Sequence, residues 1–283
     1  MGLRTLIRGG LRRAASLPLR LIDPALRAEA LDRFARDATA TLTLDGGEVI
    51  TFFAPSPLLR LRAENALAKE PDMIRWLDAL PDGAVLWDIG ANVGVFSLYA
   101  AVRRPCRVLA FEPSAANYYA LTRNIQLNAL AGRIDAYCVA LSGATELGTL
   151  NLDSPDLGAA MSQFSASGEA SRYSSGQGNV THGMIGFTID DFVARFAPAF
   201  PTHLKIDVDG LEWGILQGAG TTLRDRRLCA VMVELSVTQP LERDRAVDYL
   251  AQAGLECLSH GASQGAGGEA AANYLFTRRN AAR

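Results

Sequence analysis

The stretch AVLWDIGANVGVFSLYA, residues 84–100, decides the fold of this 283-residue chain. An apolar run ends in Asp88, Gly90 and Gly94 follow closely, and a second apolar run begins after them. This pattern predicts a buried strand, a tight turn, and a helix whose first N–H groups are free to meet a ligand. Because ligands bind outside the carboxyl ends of strands in an open α/β sheet, the turn is a candidate binding site.

The residues around this turn indicate the class of ligand. Their spacing is DxGxNxG, and it lacks the GxGxxG pattern that marks a dinucleotide-binding turn. On the strand itself, Asp88 would repel a phosphate and hold a cation. S-adenosylmethionine suits such a site because it carries an ammonium group and no phosphate. A nicotinamide-dependent oxidoreductase is the alternative that the spacing disfavours.

A second acid ends the next apolar run, VLAFE, at Glu112. An acid at the end of the second strand accepts hydrogen bonds from a ribose diol, a role that NAD enzymes share. The alternative is that Glu112 caps the helix that follows, since acids favour helix starts. The sequence favours the ribose role and leaves the cofactor class to other motifs.

Beyond residue 84, strand-like runs alternate with helix-like runs, which predicts an α/β fold with a mainly parallel sheet. The candidate strands are AVLWDI, RVLAFEP, IDAYCVAL, THLKIDV, LCAVMVEL, GLECLS and NYLFTR. Residues 40–53 predict a β-hairpin around an Asp-Gly-Gly turn, and residues 58–80 predict a helix. Residues 153–186 are rich in Ser and Gly without periodicity, so they predict a lid, a binding loop or a disordered insertion.

Six motifs occur in the order seen in one family: DIGANVGVFS, AFEPSAANYYAL, VALS, FTIDDFV, LKIDVDGLEWGIL and VMVELS. Over residues 62–278 the chain therefore resembles the FkbM family of S-adenosylmethionine-dependent methyltransferases. The resemblance implies a class I methyltransferase (Rossmann-like) fold, with a seven-stranded, mainly parallel sheet and helices on both faces. It also implies methyl transfer to a hydroxyl oxygen of a sugar or another small metabolite.

The resemblance implies two regions in the chain. Residues 58–283 would form the methyltransferase domain, with residues 153–186 as its lid or insertion. Residues 1–57 would form an N-terminal extension, with a basic amphipathic helix at 1–16 and the β-hairpin.

The family pattern also implies where the cofactor binds. The methionine part would lie at the first turn, the ribose at the end of the second strand, and the adenine after the third strand. The residues that it assigns to the cofactor are Asp88, Gly90, Ala91, Asn92, Gly94, Glu112, Pro113, Ser114, Ala140, Leu141, Ser142 and Asp207.

Acids after the fourth and fifth strands are the candidate catalytic residues. Asp207 and Asp209 would share a face if the fourth strand continued, and Glu234 would lie close to Asp207. His182, in the insertion, is a further candidate. Clustered carboxylates can remove the proton of the acceptor hydroxyl, or bind a divalent cation that lowers its pKa. We favour base catalysis with no metal and keep the divalent cation as an alternative.

The partners follow from charge and from the resemblance. A net charge of −2 argues against a surface that binds nucleic acid. The acceptor would be a small molecule or glycan in a surface polysaccharide or glycolipid pathway, with N- or carboxyl-methylation, or a non-catalytic scaffold, as alternatives. We expect a bacterial, cytoplasmic protein whose oligomeric state the sequence leaves open. Residues 1–16 would either make peripheral contact with the inner membrane or pack on the protein's own domain.

Overall fold

The structure, a computed structural model, describes residues 23–65, 67–68, 70–166, 180–264 and 270–278. In these ranges the strands form one seven-stranded, one four-stranded and one two-stranded sheet. The elements are α1 (Pro24–Asp37), β1 (Thr39–Thr43), β2 (Val49–Phe53), α2 (Pro57–Glu64), α3 (Pro71–Asp78), β3 (Val85–Ile89), α4 (Val95–Arg103), β4 (Arg107–Phe111), α5 (Ala115–Leu127), β5 (Ile134–Tyr137), β6 (Ala140–Leu141), β7 (Glu146–Leu152), β8 (Ser162–Ala166), β9 (Val180–Phe187), α6 (Ile189–Phe196), β10 (His203–Ile206), α7 (Glu212–Gln217), α8 (Gly220–Arg224), β11 (Ala230–Ser236), α9 (Pro240–Gln252), β12 (Leu255–Gln264) and β13 (Ala270–Arg278).

The largest sheet has the strand order β12-β13-β11-β10-β3-β4-β5. Strands β11, β10, β3, β4 and β5 are parallel, whereas β13 is antiparallel to both of its neighbours. Chain order runs outward in opposite directions from the β3–β10 pair, so the carboxyl ends of these two strands form the topological switch point. The predicted seven-stranded, mainly parallel sheet is confirmed.

Both faces of this sheet are buried, and alternate residues of each strand serve opposite faces. On β3, Leu86 packs in a core with Leu98 of α4 and Leu121 of α5. Its neighbour Trp87 packs in the core on the other face, together with Phe192 of α6. Helices on both faces explain why the strands read as nearly unbroken apolar runs.

The predicted hairpin is confirmed as the antiparallel pair β1–β2. It is fixed to α5 through backbone hydrogen bonds to two amide side chains. The Thr51 N–H donates to Asn128 Oδ1 at 2.8 Å, and the Phe53 N–H donates to Asn124 Oδ1 at 2.6 Å. The side chain of Phe52 joins the core between the sheet and α5. This anchorage places α2, which follows the hairpin, near the switch point.

Two predicted elements are divided in the structure. The stretch IDAYCVAL (134–141) is not one strand, because β5 belongs to the main sheet and β6 pairs with β9 in the four-stranded sheet. Residues 58–80 form two helices, α2 and α3, since Pro71 starts a new helix and has no N–H to continue the first.

The lid, binding loop or disordered insertion predicted at residues 153–186 contains regular strands in its described parts. Strands β8 and β9 flank β7 in antiparallel pairs. Small residues serve packing here, because a Cβ at Gly148 or Gly186 would come within 2.6–2.7 Å of the Phe164 ring. Gly148 on β7 and Gly186 on β9 thus leave room for the Phe164 ring on β8. Residues 167–179 lie outside the described ranges.

The predicted helix at residues 1–16 also lies outside the described residues. Among the helices that the structure does describe, none combines the length and the hydropathy that crossing a membrane requires.

Candidate functional site

A cavity of about 300 Å³ opens at the carboxyl ends of β3, β4, β10 and β11. This volume lies at the lower end of the range of small-molecule sites, and the place is the switch point of the sheet. The predicted residues that line it are Gly90, Ala91, Asn92, Glu112, Pro113, Ala140, Leu141, Asp207, Asp209 and Glu234. Residues from five separate stretches of the sequence therefore meet in one cavity.

Five predicted residues lie outside the cavity wall: Asp88, Gly94, Ser114, Ser142 and His182. Gly94, with φ +85°, is the residue before α4 and faces Leu121 and Leu98. The Ser114 side chain caps α5, and the Ser142 hydroxyl donates to the carbonyl of Ala144 at 2.7 Å. His182 lies on β9, where it is paired in register with Leu150.

Asp88 is fully buried beneath the cavity and already holds a cation of the protein. Its Oδ1 lies 3.1 Å from the Nζ of Lys205, and its Oδ2 accepts a hydrogen bond of 2.6 Å from Ser97. The two residues are partners in the parallel register of β3 and β10, which brings their side chains together. The predicted cation at Asp88 is thus supplied by the chain itself.

Lys205 connects this buried acid to the cavity. Its Nζ lies 3.3 Å from Asp207 Oδ2 and 5.4 Å from the centre of the Phe96 ring. Burial lowers the pKa of Lys205, but attraction by Asp88 and Asp207 outweighs it, so the pKa is raised and the ammonium stays charged. The sequence analysis missed Lys205. Its spacing of two residues from Asp207 is the signal that could have found it.

Gly90 allows two chain segments to meet at the cavity floor. Its φ is +79°, and a Cβ there would collide with the backbone carbonyl of Asp207 and lie 3.1 Å from Val208 Cγ1. The N–H groups of Gly90 and Ala91 both donate to the carbonyl oxygen of Phe111 at 3.0 Å. Only a residue without a side chain lets the ends of β3, β4 and β10 approach this closely.

Glu112 presents a carboxyl group to the cavity in a fixed orientation. Its Oε2 accepts from the Asn92 N–H at 2.7 Å, and its Oε1 accepts from the Ser114 N–H at 2.9 Å. Burial raises the pKa of Glu112 to about 7, although these hydrogen bonds lower it. Each oxygen keeps a lone pair that can accept from a ligand hydroxyl.

The segment before β8 covers this part of the cavity. The side-chain amides of Asn92 and Asn117 both donate to the carbonyl of Ala159, at 2.9 and 3.0 Å. The N–H of Gly158 donates to Asn117 Oδ1 at 2.8 Å. Asn92, with φ +51°, therefore fixes this cover with its side chain while its N–H holds Glu112.

Asp209 is fixed by the same insertion. Strand β10 ends at Ile206, so Asp207 and Asp209 do not share a strand face, and Asp209 has φ +58°. Its Oδ2 accepts from the Met161 N–H at 2.8 Å, and its carbonyl accepts from Gln163 Nε2 at 3.1 Å. Burial, followed by repulsion from Asp207, raises the pKa of Asp209.

Glu212 holds the loop that carries these two acids. As the first residue of α7, it accepts hydrogen bonds at Oε1 from the N–H groups of Val208 and Gly210, at 3.2 and 3.0 Å. Burial raises the pKa of Glu212 to about 7.

Helix α2 adds residues that the sequence analysis did not single out. Leu58, Leu61, Arg62 and Asn65 line the cavity at helical spacing. The Nε of Arg62 donates to the carbonyl of Gly158 at 2.9 Å. The spacing of Arg62, three and four positions after Leu59 and Leu58, was the one signal in the sequence that could have pointed to it. That spacing does not show which face of the helix meets the cavity.

The acids of the cavity were also expected to offer an alternative metal site. In the described ranges, no group of three or more His, Cys, Asp or Glu residues is arranged to hold a metal ion. The carboxylates around the cavity instead contact Lys205 and backbone N–H groups.

Comparison with known proteins places the same segment in one family. A model of the methyltransferase FkbM domain matches residues 88–257, more than half of the chain. Methyltransferase sdnD of Sordaria araneosa is 40% identical over 74 residues, which is 26% of this chain and 28% of that protein. The 31-O-demethyl-FK506 methyltransferase FkbM of Streptomyces tacrolimicus is 41% identical over 61 residues, 21% of this chain and 24% of that protein.

These alignments span about a quarter of the length of each curated relative. Among solved structures, that of P. horikoshii TYW2 in complex with MeSAdo is similar with a TM-score of 0.47 and 13% identity. The match covers 86% of this chain and 73% of that one.

Proposed function

The chain belongs to the FkbM methyltransferase family, and on that premise we propose that it transfers the methyl group of S-adenosylmethionine to a hydroxyl oxygen. The acceptor that we propose is a sugar or another small metabolite, in a surface polysaccharide or glycolipid pathway. The observation that carries the proposal is a single cavity lined by Glu112, Gly90, Asp207 and Asp209. Glu112 suits the ribose of a nucleoside, and the two aspartates suit a cationic group and the removal of a proton.

The residues present fit S-adenosylmethionine. Glu112 is oriented by two backbone N–H groups and can accept from both hydroxyls of a ribose. Ala140 and Leu141 give an apolar edge for the adenine, and Gly90 leaves the floor without a side chain. Asp207 and Asp209 provide negative charge for a cationic ligand. When bound, the cofactor supplies a methyl group on a positively charged sulfur.

We assign proton removal to Asp209, and we assign to Asp207 the contact with the cofactor's positive charge. A general base works best when its pKa lies near the working pH, and burial raises the pKa of Asp209. Asp207 is held by the ammonium of Lys205, which fixes its direction. The proton of the acceptor hydroxyl would pass to Asp209 as the methyl group leaves the sulfur for that oxygen, with S-adenosylhomocysteine as the second product. Glu234, on the same wall, would orient the acceptor.

Oxygen as the methylated atom is supported by a relative. The Streptomyces tacrolimicus protein is named for a 31-O-demethyl substrate, that is, a compound that lacks a methyl group on an oxygen atom. Methylation of nitrogen or of a carboxylate is the alternative, and a non-catalytic scaffold is the other.

The test is transfer of radiolabelled methyl from S-adenosylmethionine to a panel of glycans and small hydroxyl compounds, with and without EDTA. Label that survives mild base in a product without amino groups supports an ether. Label that base releases indicates a carboxyl ester. Absence of any transfer, together with absence of cofactor binding, would favour the scaffold.

The bacterial origin, the cytoplasmic location and the membrane contact of the protein stay predictions. We propose that residues 1–16 contact an anionic membrane surface, because Arg4, Arg8 and Arg12 recur at helical spacing. Co-sedimentation with anionic vesicles tests this with the full chain and with a chain lacking residues 1–16. Equal binding by both chains would refute the membrane contact.

A further inference from the structure

Arg62 lines the cavity with a cationic side chain, and it has no role in the methyl transfer proposed above. Helix α2 turns Leu58, Leu61 and Arg62 towards the cavity, while Leu59 and Ala63 pack in the core. The core contacts of α2 fix the helix, so the guanidinium is held at the cavity wall. The packing of α2 against the core therefore fixes where Arg62 stands at the cavity.

The surroundings of Arg62 are acidic, yet none of the described acidic residues forms an ion pair with it. Burial lowers the pKa of Arg62, while Asp207, Asp209 and Glu112 raise it. In the part of the chain that the structure describes, its hydrogen bond is the one from Nε to the carbonyl of Gly158. The terminal N–H groups of the guanidinium are therefore available to a ligand.

The other cation of the described cavity wall is already committed. The Nζ of Lys205 lies between Asp88 and Asp207, at 3.1 and 3.3 Å. An anionic group that enters the cavity therefore finds its free partner at Arg62. A guanidinium suits a carboxylate in particular, because its N–H groups match the two oxygens in a bidentate pair.

We propose that Arg62 binds the carboxylate of the amino-acid part of S-adenosylmethionine. This inference rests on the proposed function, because that carboxylate is the cofactor's one anionic group. The same carbon of the cofactor carries an ammonium group. The charges around Arg62 match this zwitterion, since Asp207 and Asp209 lie on the same wall as the guanidinium.

The guanidinium is oriented before the ligand arrives. Gly158 accepts from Arg62 Nε and donates its N–H to Asn117 Oδ1, and Ala159 accepts from Asn92 and Asn117. The insertion thus connects Arg62 to the turn that holds Glu112. An oriented side chain loses less conformational entropy on binding, which favours affinity.

Calorimetry with two probes tests the proposal. S-adenosylhomocysteine contains the amino-acid part, and 5′-methylthioadenosine lacks it. Arg62→Met should weaken S-adenosylhomocysteine binding by about 30-fold and leave 5′-methylthioadenosine binding unchanged. Arg62→Lys should fall between Arg62→Met and wild type, since an ammonium keeps the charge and loses the bidentate geometry. Arg60→Met is the matched control, because Arg60 is exposed on the same helix.

Two outcomes would overturn the inference while leaving the proposed function intact. One is unchanged S-adenosylhomocysteine affinity in Arg62→Met, including the case where only the KM for an acceptor rises. The other is an equal loss for both probes, which would show a general effect on the cavity. Failure of the folded wild type to bind S-adenosylhomocysteine would instead refute the proposed function itself.

Discussion

The α-carbon of Gly90 packs against the backbone of Asp207, so that a Cβ on Gly90 would lie 2.9 Å from the carbonyl carbon of Asp207. This contact joins the turn after β3 to the loop after β10, the two segments that form the cavity floor. A substitution at Gly90 therefore tests whether this contact shapes the cavity floor.

We predict that Gly90→Ala destabilises the protein by about 2 kcal/mol or more and weakens S-adenosylhomocysteine binding, because it adds both a backbone clash and strain at positive φ. Urea unfolding and calorimetry measure the two effects. Gly132→Ala is the control, since a Cβ there meets nothing within 4 Å. Wild-type stability and affinity in Gly90→Ala would contradict the assigned contact.

A second prediction concerns the ion pair under the floor. Lys205→Met leaves the buried carboxylate of Asp88 without its cation, which should cost about 3–5 kcal/mol of folding free energy. Adding Asp88→Asn removes that charge, so the double variant should be more stable than Lys205→Met alone. Urea unfolding of all four proteins in this cycle gives the coupling energy. Additive losses would show that the two side chains do not interact.

The pH dependence of cofactor binding is a third prediction. Burial raises the pKa of Glu112 to about 7, and in the proposed cofactor site its ionised form would accept hydrogen bonds from both ribose hydroxyls. Affinity for S-adenosylhomocysteine should therefore rise from pH 6 to pH 8 and fall below the pKa of about 7.

The same pKa sets the sign for stability without ligand. The folded-state pKa lies above the unfolded value, so the contribution of Glu112 to stability is present at low pH and is lost as the pH rises through about 7. The shift in Tm caused by S-adenosylhomocysteine should be larger at pH 8 than at pH 6. Glu112→Gln should remove this dependence, and its persistence would assign it to another group, such as Glu212.

The fourth prediction separates chemistry from binding. Asp209→Asn should reduce kcat by about 10²- to 10⁴-fold, the usual contribution of a general base, and should change the Kd of S-adenosylhomocysteine far less, because Asp207 keeps the main contact with the positive charge of the ligand. Asn tolerates the positive φ at this position, so the loop should keep its shape. The measurement is kcat of the wild type and of Asp209→Asn with any acceptor that the methyl-transfer panel identifies. An unchanged kcat would remove Asp209 as the base.

Much of the fold could be predicted from the sequence because its physical causes are local. Buried parallel strands read as apolar runs, and the Asp-Gly-Gly turn marks the hairpin. The insertion could not be predicted in the same way. Gly186 in the insertion and Gly148 on β7 make room for Phe164, and such a contact between strands leaves no periodic pattern in the sequence.

In the site, too, the residues that follow a local pattern could be predicted, and those that depend on tertiary contacts could not. Glu112 and Asp207 could be predicted because each follows an apolar run at the sheet's carboxyl edge. The partner of Asp88 could not, since it depends on the register that places Lys205 beside it across two strands. Arg62 depends on which face of α2 meets the cavity, and the hairpin anchored to α5 decides that.

The proposed function requires that this cavity binds S-adenosylmethionine and not a dinucleotide. Calorimetric titration of the wild-type protein at pH 8 with S-adenosylhomocysteine, and separately with NAD⁺, tests this requirement. We expect micromolar binding of S-adenosylhomocysteine, and no binding of NAD⁺ because the turn after Asp88 lacks the GxGxxG pattern of a dinucleotide site. Binding of NAD⁺, or no binding of S-adenosylhomocysteine to folded protein, would contradict it.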